Sequence, residues 1–329
     1  MNSKILIFRT DRIGDLLVSC PAIATIKDNI LDSKITLIAS QKNFEYAKGL
    51  KLFDEVYKFP EKNIFKKIIF IFKLIKKKYK YIYVFDGKER SIIAAGLIKS
   101  SYKLALTPRI NFFYKFLKIK FFLDSDKTNL NEIFQKFLKY SNINVKISNF
   151  DFLKNKIDNN FSSKIPIKDY LHIHLDEKWF SNIYIKKYTD INPSFSDFTQ
   201  FLDKIYQKND ILITTGLIDI DLIEKLKTKY FSKINDKVFI KENGNKSIYL
   251  IYKPLFEDLE SLLKNSKVLI ACHGAIIHAA NSFNVKKIDI LEKSKVPFYS
   301  RFTSYLTDYH SIYRSNFNYI KSEIYKKAF

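Results

Sequence analysis

Short runs of β-branched and aromatic residues alternate along the first half of the chain with stretches whose apolar positions recur at helical spacing. The runs predict strands at Lys4–Phe8, Lys34–Ser40, Glu55–Phe59, Tyr81–Phe85 and Tyr102–Leu106. A helix is predicted after each of the first four strands. Strands that alternate with helices form parallel sheets covered by helices on both faces. The first half therefore predicts an α/β domain of the Rossmann type.

The same alternation restarts after a polar stretch at Asn142–Ile165. It predicts strands at Tyr170–His174, Asp210–Thr214, Lys267–Ala271 and Lys287–Leu291, with Val238–Lys241 as a further candidate. We place a domain boundary in the polar stretch. Residues 1–155 and 156–329 then form two Rossmann-like domains with parallel sheets facing a central cleft, where ligands of such folds usually bind. The tail from Tyr299 is predicted to be helical and to return to the first domain.

Composition narrows the class of protein. Of 329 residues, 47% are hydrophobic, which is enough for folded cores and excludes wholesale disorder. The two cysteines, Cys20 and Cys272, form neither a disulfide scaffold nor a C-x-x-C zinc pair. No apolar run reaches the roughly 18 residues of a membrane span, and the first residues read as a strand rather than a signal peptide. We therefore expect a cytoplasmic protein without a membrane-spanning segment.

The net charge of +23 is large, but only six of the 57 basic residues are arginine. Lysine, isoleucine, asparagine, phenylalanine and tyrosine are all abundant, as codon bias in an AT-rich genome produces, so part of the charge reflects composition. The remainder favours anionic partners, which include membrane surfaces, nucleic acid and phosphorylated substrates. Because no helix-turn-helix, RNP or zinc-finger pattern is present, nucleic-acid binding rests on charge alone, and we expect none.

The most specific motif is RTDRIGDLL, which begins at Arg9, at the end of the first predicted strand. Its side chains are expected at the carboxyl edge of a parallel sheet, where ligands of α/β folds bind. Gly14 allows a tight turn, and Asp15 lies at the start of the next helix. Asp15 is either a first-turn acid that stabilises the helix by about 1 kcal/mol, or a residue that acts on a ligand bound at this edge. Two arginines and two aspartates on one short loop favour the second interpretation.

This motif, followed by the segment SCPA, resembles the N-terminal signature of glycosyltransferase family 9, the ADP-heptose:lipopolysaccharide heptosyltransferases and their relatives. The resemblance implies a GT-B fold. It also implies inverting, metal-independent transfer of a sugar from a nucleotide-sugar, such as heptose from ADP-heptose, to a lipopolysaccharide core or related surface glycan. Asp15 is then the catalytic base, and its neighbours Arg9, Asp11, Arg12 and Gly14 bind the acceptor. No cofactor is implied beyond the nucleotide-sugar, and we expect a monomer.

Segments of the second half resemble the donor-binding side of the same family. One is HLDEKW, which contains Lys178, and another is ACHGAIIHAA, which follows a predicted strand. The family's glycine-rich loop is thinned here to TTG. The resemblance implies a set of donor-binding residues, which are Lys178, Thr215, Gly216, Asp221, His273, Gly274 and His278. Lys178 and the helix start at Gly274 would hold the departing diphosphate, because cations and backbone N–H groups bind anions.

The second half also departs from the family pattern. Cys272 and His273 stand where the family has an acidic residue before its Gly-x-x-His, and the gap to His278 is one residue longer. This difference favours a second hypothesis, a catalytically degenerate protein that binds an anionic glycan or membrane without transferring a sugar. The pairs Asp124–Asp126 and Asp219–Asp221 match the Asp-x-Asp of metal-dependent transferases, but such short matches are common by chance, and we expect no metal.

Two basic and aromatic segments, residues 64–78 and 111–123, favour binding to an anionic membrane surface. The first has an apolar row along one predicted helix face, at Ile64, Ile68, Phe72 and Ile75. The second carries the lysines that we expect at the membrane, Lys115, Lys118 and Lys120. The alternative is a helix that covers the sheet and leaves its lysines in solvent. The lipid-linked acceptor of the family supports the membrane interpretation, which places the protein at the inner membrane.

Overall fold

A computed structural model describes residues 3–110, 112–124, 128–143, 146–147, 150, 152–153 and 160–329. The chain divides into two compact units. Unit 1 consists of Met1–Phe152 and Phe298–Tyr305, and unit 2 consists of Leu153–Pro297 and Leu306–Phe329. The boundary predicted between residues 155 and 156 falls outside the described residues. The aromatic tail contributes to both units, because only its first part groups with unit 1.

The first half of the chain contains strands and helices in strict alternation as far as its fifth strand. In chain order the elements are β1 (Lys4–Arg9), α1 (Ile13–Asn29), β2 (Lys34–Ala39), α2 (Phe44–Lys48), β3 (Glu55–Lys58), α3 (Ile64–Ile75), β4 (Tyr81–Val84), α4 (Glu89–Leu97), β5 (Tyr102–Thr107), β6 (Lys120–Leu123) and α5 (Leu130–Lys139). The strands form one parallel sheet with the order β3-β2-β1-β4-β5-β6. The central strands are apolar and buried, as expected for parallel strands covered on both faces.

The second half begins with a second alternating series and ends in the tail. Its elements are β7 (Tyr170–Leu175), α6 (Phe195–Tyr206), β8 (Ile211–Thr215), α7 (Asp221–Lys229), β9 (Ser232–Lys233), β10 (Val238–Asn243), β11 (Lys246–Ile251), α8 (Phe256–Leu263), β12 (Ser266–Cys272), α9 (Ala275–Asn281), β13 (Lys286–Leu291), α10 (Val296–Thr303), β14 (Tyr309–Tyr313) and α11 (Phe317–Ala328). The strand order is β14-β13-β12-β7-β8-β11-β10-β9.

The predicted strands are confirmed to within one or two residues at each end, but three parts of the prediction are wrong. The sheet of unit 2 is mixed, because β10 and β11 form an antiparallel hairpin and β9 pairs antiparallel with β10. The turn of the hairpin contains Gly244, whose φ of 60° is accessible to glycine at little cost. The tail contains β14, which pairs with β13 and interrupts the predicted helix. Finally, α1 begins at Ile13, so Gly14 lies in its first turn rather than in a loop.

The sheet of unit 1 is apolar along its central strands, and that of unit 2 carries His172, His174 and Asp289 within strands. Further polar residues follow where the strands end. In unit 1 the polar residues follow β1 and β4, and in unit 2 they follow β7, β8 and β12. Parallel neighbours bring such residues together, because all their carboxyl ends lie at the same edge. The motifs singled out from the sequence are therefore gathered at one sheet edge in each unit.

Candidate active site

In unit 1 a buried arginine holds the loop that joins β1 to α1. Arg9 is 6% exposed. Its guanidinium donates hydrogen bonds to the carbonyl oxygen of Asp15 at 2.8 and 3.0 Å and to that of Phe85 at 2.7 Å. It also forms a 3.0 Å salt bridge with Asp11. A buried charge is tolerated only when it is paired and hydrogen-bonded. These contacts give Arg9 a structural role, and its binding of an acceptor stays a prediction.

A second network at this edge is centred on Asp86, which sequence reasoning missed. Its carboxylate accepts hydrogen bonds from the backbone and hydroxyl groups of Thr10 and from the hydroxyl group of Ser91, at 2.7–2.9 Å. Burial, and next the charge of Asp11, raise the pKa of Asp86. The ammonium of Lys88 donates to the carbonyl oxygen of Thr10 at 2.7 Å and pairs with Asp11. The loop after β1 is thus tied to the segment that follows β4.

Asp15 lines an open polar cavity of about 450 Å³, which is within the ~300–1,000 Å³ typical of small-molecule sites. It is the third residue of α1 and is half-buried, and its carboxylate accepts a 3.2 Å hydrogen bond from the backbone N–H of Arg12. The other lining residues are Thr10, Asp11, Arg12, Ser40, Lys42, Glu61, Lys88 and Arg90. Both proposed roles of Asp15 are therefore compatible, because one carboxylate oxygen binds the helix terminus while the side chain borders the cavity.

In unit 2 a buried ion pair follows β7. The ammonium of Lys178 lies 2.7 Å from the carboxylate of Asp176, which is 2% exposed. Burial alone would raise the pKa of Asp176, but Lys178 and His174 outweigh it and lower that pKa. Burial opposes the charge of Lys178 as well, yet the attraction of Asp176 raises the pKa of Lys178. Both groups are therefore ionised, and Lys178 presents a fixed cation with a side chain that is 21% exposed.

Two buried histidines of β7 extend this ion pair into the interior. The hydroxyl group of Thr214 lies 2.8 Å from Nε2 of His172 and 2.9 Å from Nδ1 of His174. Nε2 of His174 lies 3.5 Å from the carboxylate of Asp176. Burial, with a smaller contribution from His174, lowers the pKa of His172 to about 3. A continuous polar chain therefore runs from the sheet interior to Lys178.

Glycines permit the close approach of the loops around Lys178. A Cβ on Gly274 would lie 2.8 Å from Nζ of Lys178, and a Cβ on Gly216 would lie 2.9 Å from Cβ of Asp176. The hydroxyl group of Thr215 donates to the Gly216 carbonyl oxygen at 3.1 Å and accepts from the backbone N–H of Lys253 at 2.8 Å. Lys178, Thr215, Gly216 and Gly274 are thus gathered at the carboxyl ends of β7, β8 and β12. Their binding of a donor stays a prediction.

The remaining predicted donor residues have different surroundings. Nδ1 of His273 lies 2.7 Å from the fully buried carboxylate of Asp289, which accepts a hydrogen bond from it. His278 is 8% exposed, and burial, with a smaller contribution from His273, lowers its pKa to about 3. Asp221 is exposed at the first position of α7. The neighbouring Asp219 forms a 2.8 Å salt bridge with Lys253.

Within the described residues, no three His, Cys, Asp or Glu side chains are grouped as metal ligands. Of the other Asp-x-Asp pair, Asp126 lies outside these residues and Asp124 forms a 2.6 Å salt bridge with Arg301.

Sequence reasoning missed Asp86, Asp176 and Asp289, all of which are paired at strand ends or within strands. The available signal was a charged residue in or beside an otherwise apolar strand.

The first candidate membrane segment forms the predicted helix, and the second contains a short 3-10 helix followed by β6. On α3 the side chains of Ile64, Phe65, Ile69 and Phe72 are 60–72% exposed, and Leu74 alone is buried. Of the predicted row, Ile64, Ile68 and Phe72 are exposed, whereas Ile75 is half-buried and packs against the core of unit 1. Residues 112–117 form a 3-10 helix, on which Phe112 and Phe116 are 64% and 72% exposed. Lys118 and Lys120 are exposed, and the side chain of Lys115 lies outside the described part.

No protein-family model and no curated protein sequence matches this chain. Solved structures do. The glycosyl transferase family 9 structure from Veillonella parvula is 13% identical, with a TM-score of 0.67, over 99% of this chain and 89% of that chain. The E. coli heptosyltransferase WaaC with ADP is 12% identical, with a TM-score of 0.69, over 98% and 99%. The chain has a GT-B-type fold.

The same fold also occurs in a structure named for another activity. The UDP-GlcNAc 2-epimerase of Methanocaldococcus jannaschii is 14% identical, with a TM-score of 0.58, over 100% of this chain and 92% of that chain. The structural likeness to family 9 is thus confirmed, and so is the fold that the resemblance implied. At this level of identity the activity has to be argued from the residues of the site.

We expect the buried histidines to make the protein acid-sensitive. Between pH 6.5 and the folded-state pKa of about 3, the unfolded chain binds a proton at His172 that the folded chain excludes. In this range the contribution of His172 should therefore lower the free energy of unfolding by about 1.4 kcal/mol for each unit by which the pH is lowered. Urea unfolding at pH 7, 6 and 5 measures this slope. His172→Gln should reduce it, whereas His310→Gln, with a side chain that is 41% exposed, should not. An unchanged slope in His172→Gln would contradict the assignment.

Proposed function

We propose that the protein is an inverting, metal-independent glycosyltransferase that transfers a sugar from a nucleotide-sugar to a lipid-linked surface glycan. The observation that carries this proposal is Asp15, a half-buried carboxylate fixed at the carboxyl end of β1 on a polar cavity, within a fold shared with WaaC. ADP-heptose is the donor and a lipopolysaccharide core the acceptor to examine first, because the similar structures are named as heptosyltransferases. The nucleotide-sugar is a co-substrate, and no cofactor takes part.

In this proposal Asp15 is the general base of the transfer. The acceptor hydroxyl oxygen attacks the anomeric carbon of the donor, its proton passes to Asp15, and the bond from that carbon to the diphosphate oxygen breaks. Attack opposite the leaving group inverts the anomeric configuration. The cavity around Asp15 also carries Arg12, Lys42, Lys88 and Arg90, whose cationic groups suit an anionic glycan.

The donor side of the proposal rests on Lys178. As the anomeric bond breaks, negative charge develops on the departing diphosphate, and a fixed cation stabilises this charge without a reorganisation cost. Asp176 and the histidine chain behind it hold the ammonium in place. In this proposal Thr215, Gly216, His273, Gly274 and His278 surround the diphosphate, and Asp221 binds the nucleotide ribose.

We also propose that unit 1 docks on an anionic inner-membrane surface, as a monomer on the cytoplasmic face. None of the helices in the described part of the chain has the length and hydropathy needed to cross a bilayer. Docking is supported by the outward apolar side chains of α3 and by the lysines interspersed along it. Glu61, three residues before α3, lines the Asp15 cavity. A lipid-linked acceptor held at the α3 surface would therefore be close to that cavity.

We expect Asp15→Asn to abolish most of the sugar transfer without unfolding the protein. The amide keeps an oxygen that accepts the Arg12 N–H bond, but it does not accept a proton. Loss of a general base lowers the rate by about 10²–10⁴-fold. Product formation from nucleotide-sugars, with and without EDTA, measures this effect, and thermal unfolding serves as the control. Wild-type turnover in the variant would contradict the role of Asp15, and complete inhibition by EDTA would contradict metal independence.

A second prediction separates the two functions of Lys178. Lys178→Ala leaves the buried Asp176 without its main partner and should destabilise the fold by about 3–5 kcal/mol. The double variant Asp176→Asn/Lys178→Met removes both charges and should recover stability. Both variants should bind ADP more weakly than wild type does, because both lack the ammonium. Adenosine binding should remain near the wild-type value. Calorimetric titration and urea unfolding measure the two effects. Recovery of ADP binding in the double variant would mean that Lys178 acts only on the fold.

A third prediction concerns the membrane. Phe65→Ser/Ile69→Ser/Phe72→Ser should weaken binding to phosphatidylglycerol vesicles at least tenfold, because burial of each such side chain contributes about 1.5–3 kcal/mol. Lys118→Gln/Lys120→Gln should weaken binding mainly at low salt, where each lysine contributes about 1 kcal/mol. Leu31→Ser, at a side chain that is 83% exposed, is the matched control.

Vesicle co-sedimentation measures this binding at several salt concentrations. Transfer to a short water-soluble acceptor should be unaffected by these variants. Unchanged vesicle binding in the apolar triple variant would contradict docking. Vesicle binding without transfer from any nucleotide-sugar would support the alternative of a degenerate protein, and epimerisation of a nucleotide-sugar would contradict both.

A further inference from the structure

A fully buried carboxylate orients His273 at the edge of the unit 2 sheet. Asp289 lies on β13 and is 0% exposed, and its Oδ2 is 2.7 Å from Nδ1 of His273. The same oxygen accepts a 2.9 Å hydrogen bond from the hydroxyl group of Tyr309 on β14. Because a carboxylate accepts hydrogen bonds, Nδ1 of His273 carries a proton toward Asp289. The Nε2 atom then lies on the opposite side of the ring.

The burial of Asp289 favours a cation as its neighbour. Its second oxygen, Oδ1, has no hydrogen-bond partner among the described residues. The nearby Lys287 on the same strand donates instead to the carbonyl oxygen of Val285 at 2.7 Å. A buried carboxylate without further partners costs free energy unless an opposite charge accompanies it. The side chain that lies at hydrogen-bond distance and is able to supply such a charge is the imidazole of His273.

The location of His273 links this pair to the donor residues. It follows β12 directly and precedes Gly274, on which a Cβ would lie 2.8 Å from Nζ of Lys178. Its side chain is 12% exposed, whereas Asp289 is fully enclosed. The ring of His278 lies 5.5 Å away, centroid to centroid. The titratable and charged groups around His273 therefore come from four elements: Asp289 on β13, Tyr309 on β14, His278 on α9, and Lys178 with Asp176 after β7.

The geometry points to His273 as a second cation for the diphosphate of the donor, with Asp289 as its positioning residue. This inference rests on the proposed function. Beside the permanently charged Lys178, it adds a second group that binds the diphosphate better when that group is protonated. Nε2–H of His273 donates a hydrogen bond to a diphosphate oxygen. When the anomeric bond breaks, the electron pair goes to the diphosphate, and this bond strengthens as the charge grows. Diphosphate binding is then coupled to the protonation of His273.

Inorganic pyrophosphate tests this inference without a sugar or a base. We expect wild-type affinity, measured by calorimetry between pH 5.5 and 8.5, to be about tenfold higher at the acid end, as the loss of one charged hydrogen bond implies. His273→Gln should remove this difference, and the remaining pH dependence is that of pyrophosphate itself. Asp289→Asn should displace the rise in affinity to lower pH, because the imidazolium loses its counter-charge. Tyr309→Phe should produce a smaller displacement in the same direction.

The matched control is His310→Gln, which removes another histidine of unit 2 paired with an aspartate, Asp308, at 3.0 Å on the surface. It should leave the pH dependence of pyrophosphate binding unchanged. Because Asp289 is buried, each variant is first compared with wild type by circular dichroism, and His273→Gln alone decides the matter if Asp289→Asn does not fold. An unaltered pH dependence in His273→Gln, or no binding of pyrophosphate by wild type, would overturn the inference. A wild-type protein that binds pyrophosphate in this manner but transfers no sugar would overturn the proposed function only.

Discussion

Charges buried at the carboxyl ends of the central strands have to be paired within the protein, and the geometry of both sites depends on this constraint. The Arg9 guanidinium is hydrogen-bonded to the carbonyl oxygens of Asp15 and Phe85 and paired with the carboxylate of Asp11. The Asp176 carboxylate is paired with Lys178 and lies next to His174. Parallel strands are covered on both faces, so most polar side chains are accommodated where these strands end. Pairing therefore stabilises the fold and orients the loops in one step.

The two units use this constraint differently. Unit 1 surrounds an open cavity with side chains of both signs, so that Asp15 borders a site large enough for a sugar. Unit 2 has a buried polar chain, from His172 through Thr214 and His174, that ends in the partly exposed cation of Lys178. In the proposed function, Asp15 is the base and Lys178 the cation that transfer from a nucleotide-sugar requires.

The departures from the family 9 pattern become intelligible in this setting. The acidic residue expected before the second motif is absent, yet Asp289 supplies a carboxylate to the same loop from the neighbouring strand β13. Two of the chain's seven glycines lie in the loops around Lys178: a Cβ on Gly216 would lie 2.9 Å from Cβ of Asp176, and a Cβ on Gly274 would displace the ammonium end of Lys178. The fold tolerates 12–13% identity with its structural neighbours because burial patterns, more than particular residues, specify the sheets.

The periodicity of apolar residues by itself determined most strands of the two alternating series, although not β6, β9 or β11. The RTDRIGDLL motif placed Asp15 at a sheet edge, because both signals are local. Only the tertiary structure decided which partners meet. The pairing of Thr10 with Asp86 and of His273 with Asp289 joins residues 76 and 16 positions apart. Three further features likewise depend on neighbouring elements. They are the antiparallel edge at β10 and β11, the strand β14 in the tail, and the outward apolar face of α3. Hydrogen-bond pairing and burial are properties of the folded whole, and the local periodicity of the sequence does not specify them.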